Sequence, residues 1–177
     1  MGNVDGDLFV AGGSVLVSGA VKADLFAGGG NINILTDVGD DVRVGGGTIV
    51  FEGKVGGDLF VGGGQVTIGG PGIAGDVIIG GGTVRIDAPI GGKLYLGGGT
   101  VYLNSEVTGD VQIEADKVTL GSSAIIDGNL TYKATTEMTK EAGANIKGKV
   151  TFNPRATKTP SANVLAALFP IFLLLLI

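Results

Sequence analysis

The sequence predicts an all-β fold: a single-stranded parallel β-helix, a solenoid of triangular cross-section with about 17 residues per coil. Three observations predict it. A triple glycine recurs at nearly constant spacing, apolar residues alternate with period two on both sides of each triplet, and Val, Ile and Leu dominate the apolar residues, which form 44% of the chain. Period-two alternation is typical of strands with one buried face, and branched side chains suit such a surface.

The glycine triplets define the repeat. Five of them follow one another in steps of 17, 17, 18 and 17, and Ala11-Gly12-Gly13 lies one further step of 17 upstream of the first. A phosphate-binding loop occurs once per site, whereas an element that recurs with every unit is architectural. We therefore predict that each triplet turns the chain at a corner, often through a positive φ, where stacked coils leave no room for side chains. The triplets are Gly28–Gly30, Gly45–Gly47, Gly62–Gly64, Gly80–Gly82 and Gly97–Gly99.

Three groups of apolar residues in each unit predict the three sides of the coil. An apolar pair precedes the triplet, a second pair follows it, and a single apolar residue closes the unit. In the fourth unit these residues are Leu59 and Val61, Val66 and Ile68, and Ile73. The pattern persists to Val150 and Phe152, so eight or nine coils stacked at about 4.8 Å form a rod about 40 Å long. The single longer step fits an insertion within Gly69–Gly72.

The spacing of the inward residues predicts a right-handed winding. Left-handed β-helices repeat strict hexapeptides, but here the first inward residues of successive sides are separated by steps of 7, 6 and 4. Those residues are Leu8, Val15, Val21 and Leu25. Parallel crossover connections are right-handed in nearly all proteins.

The composition argues against an enzyme and against nucleic-acid binding. The chain has no cysteine, histidine or tryptophan, so the usual ligands of transition metals and the usual base of a nucleophilic triad are missing. Its formal net charge is −5, and no run of lysine and arginine is present to contact phosphates. We expect no catalytic residues, no metal, no cofactor and no nucleotide.

One polar column keeps the register of the repeat. It contains Asp7, Asp24, Asp41, Asp58, Asp76, Lys93 and Asp110. A ladder of calcium ions is one interpretation, but calcium-binding β-roll repeats have a nine-residue period that this chain lacks. The favoured interpretation is that each carboxylate caps a turn by accepting hydrogen bonds from nearby backbone amides, with Lys93 relieving repulsion between stacked carboxylates.

A second column lies on the outward side of the first strand of each coil and is unusually apolar. Its members are Phe9, Phe26, Arg43, Phe60, Ile78 and Tyr95. The column is either a stack that stiffens the sheet or a lateral contact with another rod or a membrane, and the residues favour neither.

The ends of the rod differ in sequence. The residues before Leu8 and Val10 are too few to cover the first coil, so its apolar side chains are predicted to lie open. The coil at 132–148 lacks a glycine triplet and is polar, as a cap would be. An open end predicts end-to-end polymerisation, or else a chain that begins further upstream.

The apolar run at 164–177 predicts the start of a transmembrane helix, and the residues before it form a linker. The domains are therefore a β-helix at 1–152, a linker at 153–163 and the membrane segment. Arg155 and Lys158 predict that the β-helix is cytoplasmic, although the extracytoplasmic side stays open. A hydrophobic tail folded against the rod is the alternative. The lipid-facing residues would be Val164, Leu165, Leu168, Phe169, Ile171, Phe172, Leu173, Leu174, Leu175, Leu176 and Ile177.

The repeated unit, exemplified by GDLFVGGGQVTI at 57–68, resembles the bactofilins, or polymer-forming cytoskeletal proteins. The resemblance covers residues 5–152 and consists of the period, the corner glycines and the strand pattern. It implies a right-handed β-helix that assembles end to end into nonpolar filaments without nucleotide and acts as a scaffold in cell shape or envelope organisation. The chain lacks the disordered flanks and short N-terminal membrane-targeting motif of typical members, and its apolar run looks like that of a membrane-anchored branch.

Two functions follow as expectations. The first is a membrane-tethered scaffold that polymerises with itself, contacts lipid through its C-terminal segment and organises envelope or cell-wall proteins. The second is a monomeric, surface-exposed binding module, for example for cell-wall glycan, that uses Phe9, Phe26, Phe60 and Tyr95.

Overall fold

The structure is a computed structural model that describes residues 2–155, and it contains parallel strands stacked as a solenoid of about nine turns. The described residues form no helix. The strands are β1 (Leu8–Val17), β2 (Leu25–Ile34), β3 (Val42–Phe51), β4 (Lys54–Val55), β5 (Leu59–Ile68), β6 (Gly72–Ile73), β7 (Val77–Ile86), β8 (Leu94–Leu103), β9 (Glu106–Val107), β10 (Val111–Leu120), β11 (Ile125–Ile126), β12 (Leu130–Ala134), β13 (Thr139–Lys140), β14 (Asn145–Ile146) and β15 (Val150–Pro154). The predicted β-solenoid with about 17 residues per turn is confirmed.

One large parallel sheet runs the length of the solenoid in the order β1-β2-β3-β5-β7-β8-β10-β12-β15, and β13 also pairs with β10. The short strands form two smaller sheets, β14-β11-β9 and β4-β6. On the side of the solenoid that the short strands form, isolated parallel bridges join Val4 to Val21, Val21 to Val38 and Val38 to Val55. Equivalent residues of successive coils therefore lie directly above one another, as the sequence alignment of the repeats predicts.

The core is a column of stacked aliphatic side chains. Residues at the first inward position, such as Leu25, Val42 and Leu59, are fully buried, and Phe51 is among the largest side chains with no exposed surface. Each buried methylene is worth about 0.8 kcal/mol, so this continuous column is the main source of stability. It extends to Ile126 and Leu130 in the later coils.

The glycine triplets lie inside the ten-residue strands, which corrects the predicted division of each coil into separate strands at this point. The corner itself is confirmed. Residues an odd number of positions apart point to opposite faces of a straight strand, yet Val61 and Val66 both face inward. The register of β3 and β5 also omits the third glycine of each triplet. The predicted positive φ is wrong there. Within residues 2–155 only Gly70, Gly72 and Gly143 adopt it. The triplets bend an extended backbone instead of forming a tight turn.

The extra residue of the longer step lies where the sequence predicts it. Phe51 pairs with Ile68, which is a step of 17 along the chain, whereas Lys54 pairs with Gly72, which is a step of 18. The insertion therefore falls between Ile68 and Gly72. Gly70 has a φ of 95° and Gly72 a φ of 133°, conformations that glycine adopts without the strain of a Cβ atom.

The last described coils carry larger side chains, although Val150 in the final strand is 43% exposed. Tyr132 is buried and stacks on Phe152, with ring centroids 4.8 Å apart. The Arg155 guanidinium lies 2.7 Å from Glu114 Oε1 and 2.9 Å from Asp116 Oδ1. Most of the linker and the predicted membrane segment at 164–177 lie outside the described residues. Among the residues that are described, no helix is long and apolar enough to cross a membrane.

Acidification should loosen this end of the solenoid. Hydrogen bonds from Arg155 and Lys133 hold the pKa of Glu114 below its ordinary value of 4.5. A carboxylate with a lowered pKa stabilises the fold above its ordinary pKa, and this contribution is lost as the pH falls through the lowered value. We expect the Arg155 amide, which donates to the Ala134 carbonyl oxygen at 2.8 Å, to lose hydrogen-exchange protection below about pH 4.

The control for this prediction is Glu114→Gln, which removes the charge at every pH. Its Arg155 amide should exchange faster than in the parent chain near neutral pH and should lose less protection on acidification. Equal protection of the parent amide at about pH 7 and about pH 3 would contradict the assignment.

Candidate assembly surfaces

The N-terminal end of the rod exposes part of its core column. Leu8 and Val10 face inward and pack against the core, but both are only half-buried. The residues paired with them in the next coil, Leu25 and Ala27, are 0% and 7% exposed. The difference arises because no further coil in the described chain covers the first one. This end is the predicted open coil.

Three of the five large exposed apolar side chains of the described residues lie in the same two coils. Phe9 is 70% exposed, Leu16 is 64% exposed and Leu35 is 50% exposed. Sequence reasoning selected Phe9 and missed Leu16 and Leu35. The sequence did contain a signal for Leu16, because most of the residues at the same position in the next coils are polar. They are Asn33, Val50, Thr67 and Arg85.

Among residues 2–155, no strand pairs with the outer edge of β1 at this apolar end. Strand β1 is ten residues long and pairs with β2 on one side, and it is the first strand in the order of the large sheet. An exposed edge presents a row of backbone N–H and C=O groups that can pair with another strand. We name Leu8, Phe9, Val10, Leu16 and the free edge of β1 the N-terminal end surface.

The outward column of the first strand side forms a ridge along the rod, which we name the aromatic ridge. Its residues are Phe9, Phe26, Arg43, Phe60, Ile78 and Tyr95. The Phe9 and Phe26 rings stack at 4.5 Å with an angle of 3° between their planes. The Arg43 guanidinium carbon lies 5.3 Å from the Phe26 ring centre and 5.1 Å from that of Phe60.

This stacking decides which part of each ring meets solvent. Phe26 has Phe9 on one face and Arg43 on the other, and Arg43 also covers one face of Phe60. Phe26 therefore presents its ring edge outward, whereas Phe9, at the start of the stack, is 70% exposed. Arg43 is neutralised within the ridge by Asp41 at 3.0 Å and Asp24 at 3.8 Å. This arrangement is compatible with both predicted roles of the ridge, a stack that stiffens the sheet and an accessible contact surface.

The aspartate column caps backbone amides, but in the following coil and not in its own turn. Asp41 Oδ1 accepts a hydrogen bond from the Asp58 amide at 2.8 Å, and Asp58 Oδ1 accepts one from the Asp76 amide at 2.7 Å. Asp76 Oδ1 accepts from the Lys93 amide, and the Lys93 ammonium, which has no acceptor, cannot continue the ladder. Each carboxylate thus joins two coils. Among the described residues no group of three acidic side chains is arranged to hold a metal ion.

A scan against models of known protein families, a search of curated proteins and a search of solved structures found no match. The resemblance to the bactofilins therefore remains an expectation that depends on the repeated residues themselves.

Proposed function

We propose that this chain is a membrane-tethered structural scaffold whose rods assemble end to end into filaments without nucleotide. The observation that carries the proposal is the N-terminal end surface, where half-buried Leu8 and Val10 adjoin the exposed Phe9 and the free edge of β1. A second rod on this surface would bury the apolar side chains and pair the backbone groups of the edge.

The geometry of a solenoid supports growth along its axis. Each coil is stabilised by the coils on either side, so a terminal coil without a neighbour lacks half of its contacts. Soluble repeat proteins cover such ends with polar capping units, yet the first coil here carries exposed Phe9 and Leu16. The exposed apolar side chains of the first described coil favour self-assembly over a permanently monomeric state. The right-handed, triangular winding belongs to the same proposal.

The membrane part of the proposal rests on the sequence of residues 164–177, joined to the rod through the linker. We place the rod on the cytoplasmic side, as the positive-inside rule indicates from Arg155 and Lys158. Arg155 is ion-paired with Glu114 and Asp116 on the rod, which leaves Lys158 as the stronger of the two arguments. Filaments tethered in this way would position envelope proteins along the membrane.

The glycan-binding alternative receives less support from the aromatic ridge. A sugar ring stacks on an open aromatic face, but Arg43 and Phe9 cover the faces of Phe26, and Arg43 covers one face of Phe60. Phe26 offers its ring edge, which suits packing against another apolar surface. The scaffold is therefore the function that the geometry supports best.

Sedimentation tests the proposal on a chain that ends at residue 163 and so retains every described residue. We expect species that grow with protein concentration in buffer free of nucleotide and of divalent cations. A single species with the mass of one chain, even at the highest soluble concentration, would contradict self-assembly.

A further inference from the structure

The first glycine of each triplet has no structural reason to be glycine. A Cβ atom placed on Gly28, Gly45, Gly62, Gly80 or Gly97 would meet no atom within 4 Å, and none of them has a positive φ. The second and third glycines differ: a Cβ on Gly46 would lie 2.5 Å from the Gly29 carbonyl oxygen, and one on Gly64 would lie 2.9 Å from that of Gly47. Glycine within a strand costs about 0.5–1 kcal/mol relative to alanine, and this chain repeats it in five coils.

These glycines form a column beside the aromatic ridge, which we name the glycine strip. Gly28, Gly45, Gly62 and Gly97 line a groove there, and Gly80 lies between Gly62 and Gly97 in the same column. Ridge and strip residues both face outward and are two positions apart in the strand, which separates them by about 6.6 Å. Three hollows of about 450, 430 and 410 Å³ follow one another along the rod and share Arg43 and Ile78 at their boundaries. The groove therefore runs from β1 to β12, and in β10 Glu114 takes the place of the glycine.

We propose that this groove receives the aromatic ridge of a second copy of the chain, so that rods associate side by side and parallel to one another. A half-turn about a line parallel to the rod axis, midway between ridge and strip, places each ridge opposite the other copy's strip at the same height. A second copy has the same spacing between coils, so the ridge of one copy follows the groove of the other along its length. Antiparallel rods would instead bring ridge against ridge.

The size and charge of the face fit such a contact. Seven ten-residue strands stacked at about 4.8 Å, with about five residues on this face, present about 550 Å² per copy. The total of about 1,100 Å² just exceeds the 1,000 Å² or so that a specific interface needs. Arg43, the one charged ridge residue, is paired with Asp41 and Asp24, so two ridges do not repel each other.

The other possible occupants fit less well. The covered ring faces of the ridge disfavour a glycan, as argued above. A lipid surface is flat, whereas the groove is lower than the ridge beside it, and a chain of net charge −5 is repelled by anionic lipid. The inference deepens the proposed function: one face gives a weak contact, and end-to-end filaments would repeat it along their length and strengthen it by multivalency.

The test uses Gly62→Lys/Gly80→Lys, which fills the groove, and Gln65→Lys/Thr83→Lys, which adds the same charges to exposed positions in the same strands beyond the corner. Both variants should fold, since a Cβ on Gly62 or Gly80 meets no atom within 4 Å and the Gln65 and Thr83 side chains are exposed. By electron microscopy and mass per length, we expect paired filaments from the parent and the control, and single filaments from the groove variant, with about half the mass per length. Gly62→Val/Gly80→Val, which adds bulk without charge, should also give single filaments.

The outcomes separate this inference from the proposed function. Side-by-side dimers without filaments, lost in the groove variants, would support the groove and contradict end-to-end assembly. Parent filaments that are always single would overturn the groove proposal and leave the scaffold intact. Pairing of filaments that persists in both groove variants would also overturn the groove proposal. So would groove variants that pair as the parent does but no longer bind neutral lipid vesicles or cell-wall glycan.

Discussion

Leu8→Asp is expected to abolish filament formation while leaving most of the rod folded. Leu8 lies at the first inward position of the terminal coil, where it is half-buried in the rod and would become fully buried beneath a second one. An unpaired carboxylate buried in such an apolar contact costs several kcal/mol, and a loss of this size weakens a junction by a factor of more than about 100. Sedimentation should therefore give a single species the size of one chain.

Two control variants show whether Leu8→Asp acts on the junction between rods or on the fold. Thr83→Asp adds the same charge to an exposed position in the middle of the rod and should leave assembly unchanged. Leu25→Asp places it in the same column one coil further in, where the side chain is 0% exposed, and should disrupt folding instead. If Leu8→Asp were to lower the thermal stability as much as Leu25→Asp does, or leave filaments intact, the N-terminal end surface would not be the junction.

Gly46→Val is expected to destabilise the solenoid by about 1–3 kcal/mol, whereas Gly45→Val should be neutral or stabilising by up to about 1 kcal/mol. The two glycines are neighbours in one triplet. A Cβ on Gly46 would lie 2.5 Å from the Gly29 carbonyl oxygen and 3.0 Å from Ile32 Cδ1, while one on Gly45 meets nothing within 4 Å. The obstacle at Gly46 is backbone of the preceding coil, which cannot move without displacing the whole strand.

Urea unfolding at a protein concentration below that of assembly measures both variants. The change should appear in the midpoint and not in the slope, because the surface exposed on unfolding stays the same. Equal stability of the two variants would show that the second glycine is not required by the stacking of coils. A large loss in Gly45→Val would contradict the open space above the glycine strip.

The fold could be predicted from the sequence because a solenoid repeats its constraints. The inward positions before and after each triplet recur in every coil, and a residue such as Leu59 has the same environment as Leu25 and Val42. The position of the extra residue before Gly72 could be predicted from the spacing of the glycine triplets. The prediction that the aspartates accept hydrogen bonds from backbone amides is confirmed for Asp41 and Asp58, although the amides belong to the following coil.

The parts that sequence reasoning missed depend on distances between coils. Spacing along the chain could not reveal that the three glycines of a triplet have different roles, because the role of Gly46 depends on the Gly29 carbonyl above it and Gly45 has no such neighbour. The same limit explains the capping aspartates, whose partners are a full coil away in sequence yet within hydrogen-bond distance in space. Leu16 was missed because the sequence analysis compared one outward column and not the next.

The most direct measurement of the central claim is electron microscopy of the purified chain ending at residue 163, in buffer without nucleotide, beside the same chain carrying Leu8→Asp. We expect filaments from the first sample, with successive rods spaced by the rod length of about 40 Å, and isolated rods from the second. Isolated rods in both samples, with the fold intact by circular dichroism, would contradict the assignment of this chain as a self-assembling scaffold.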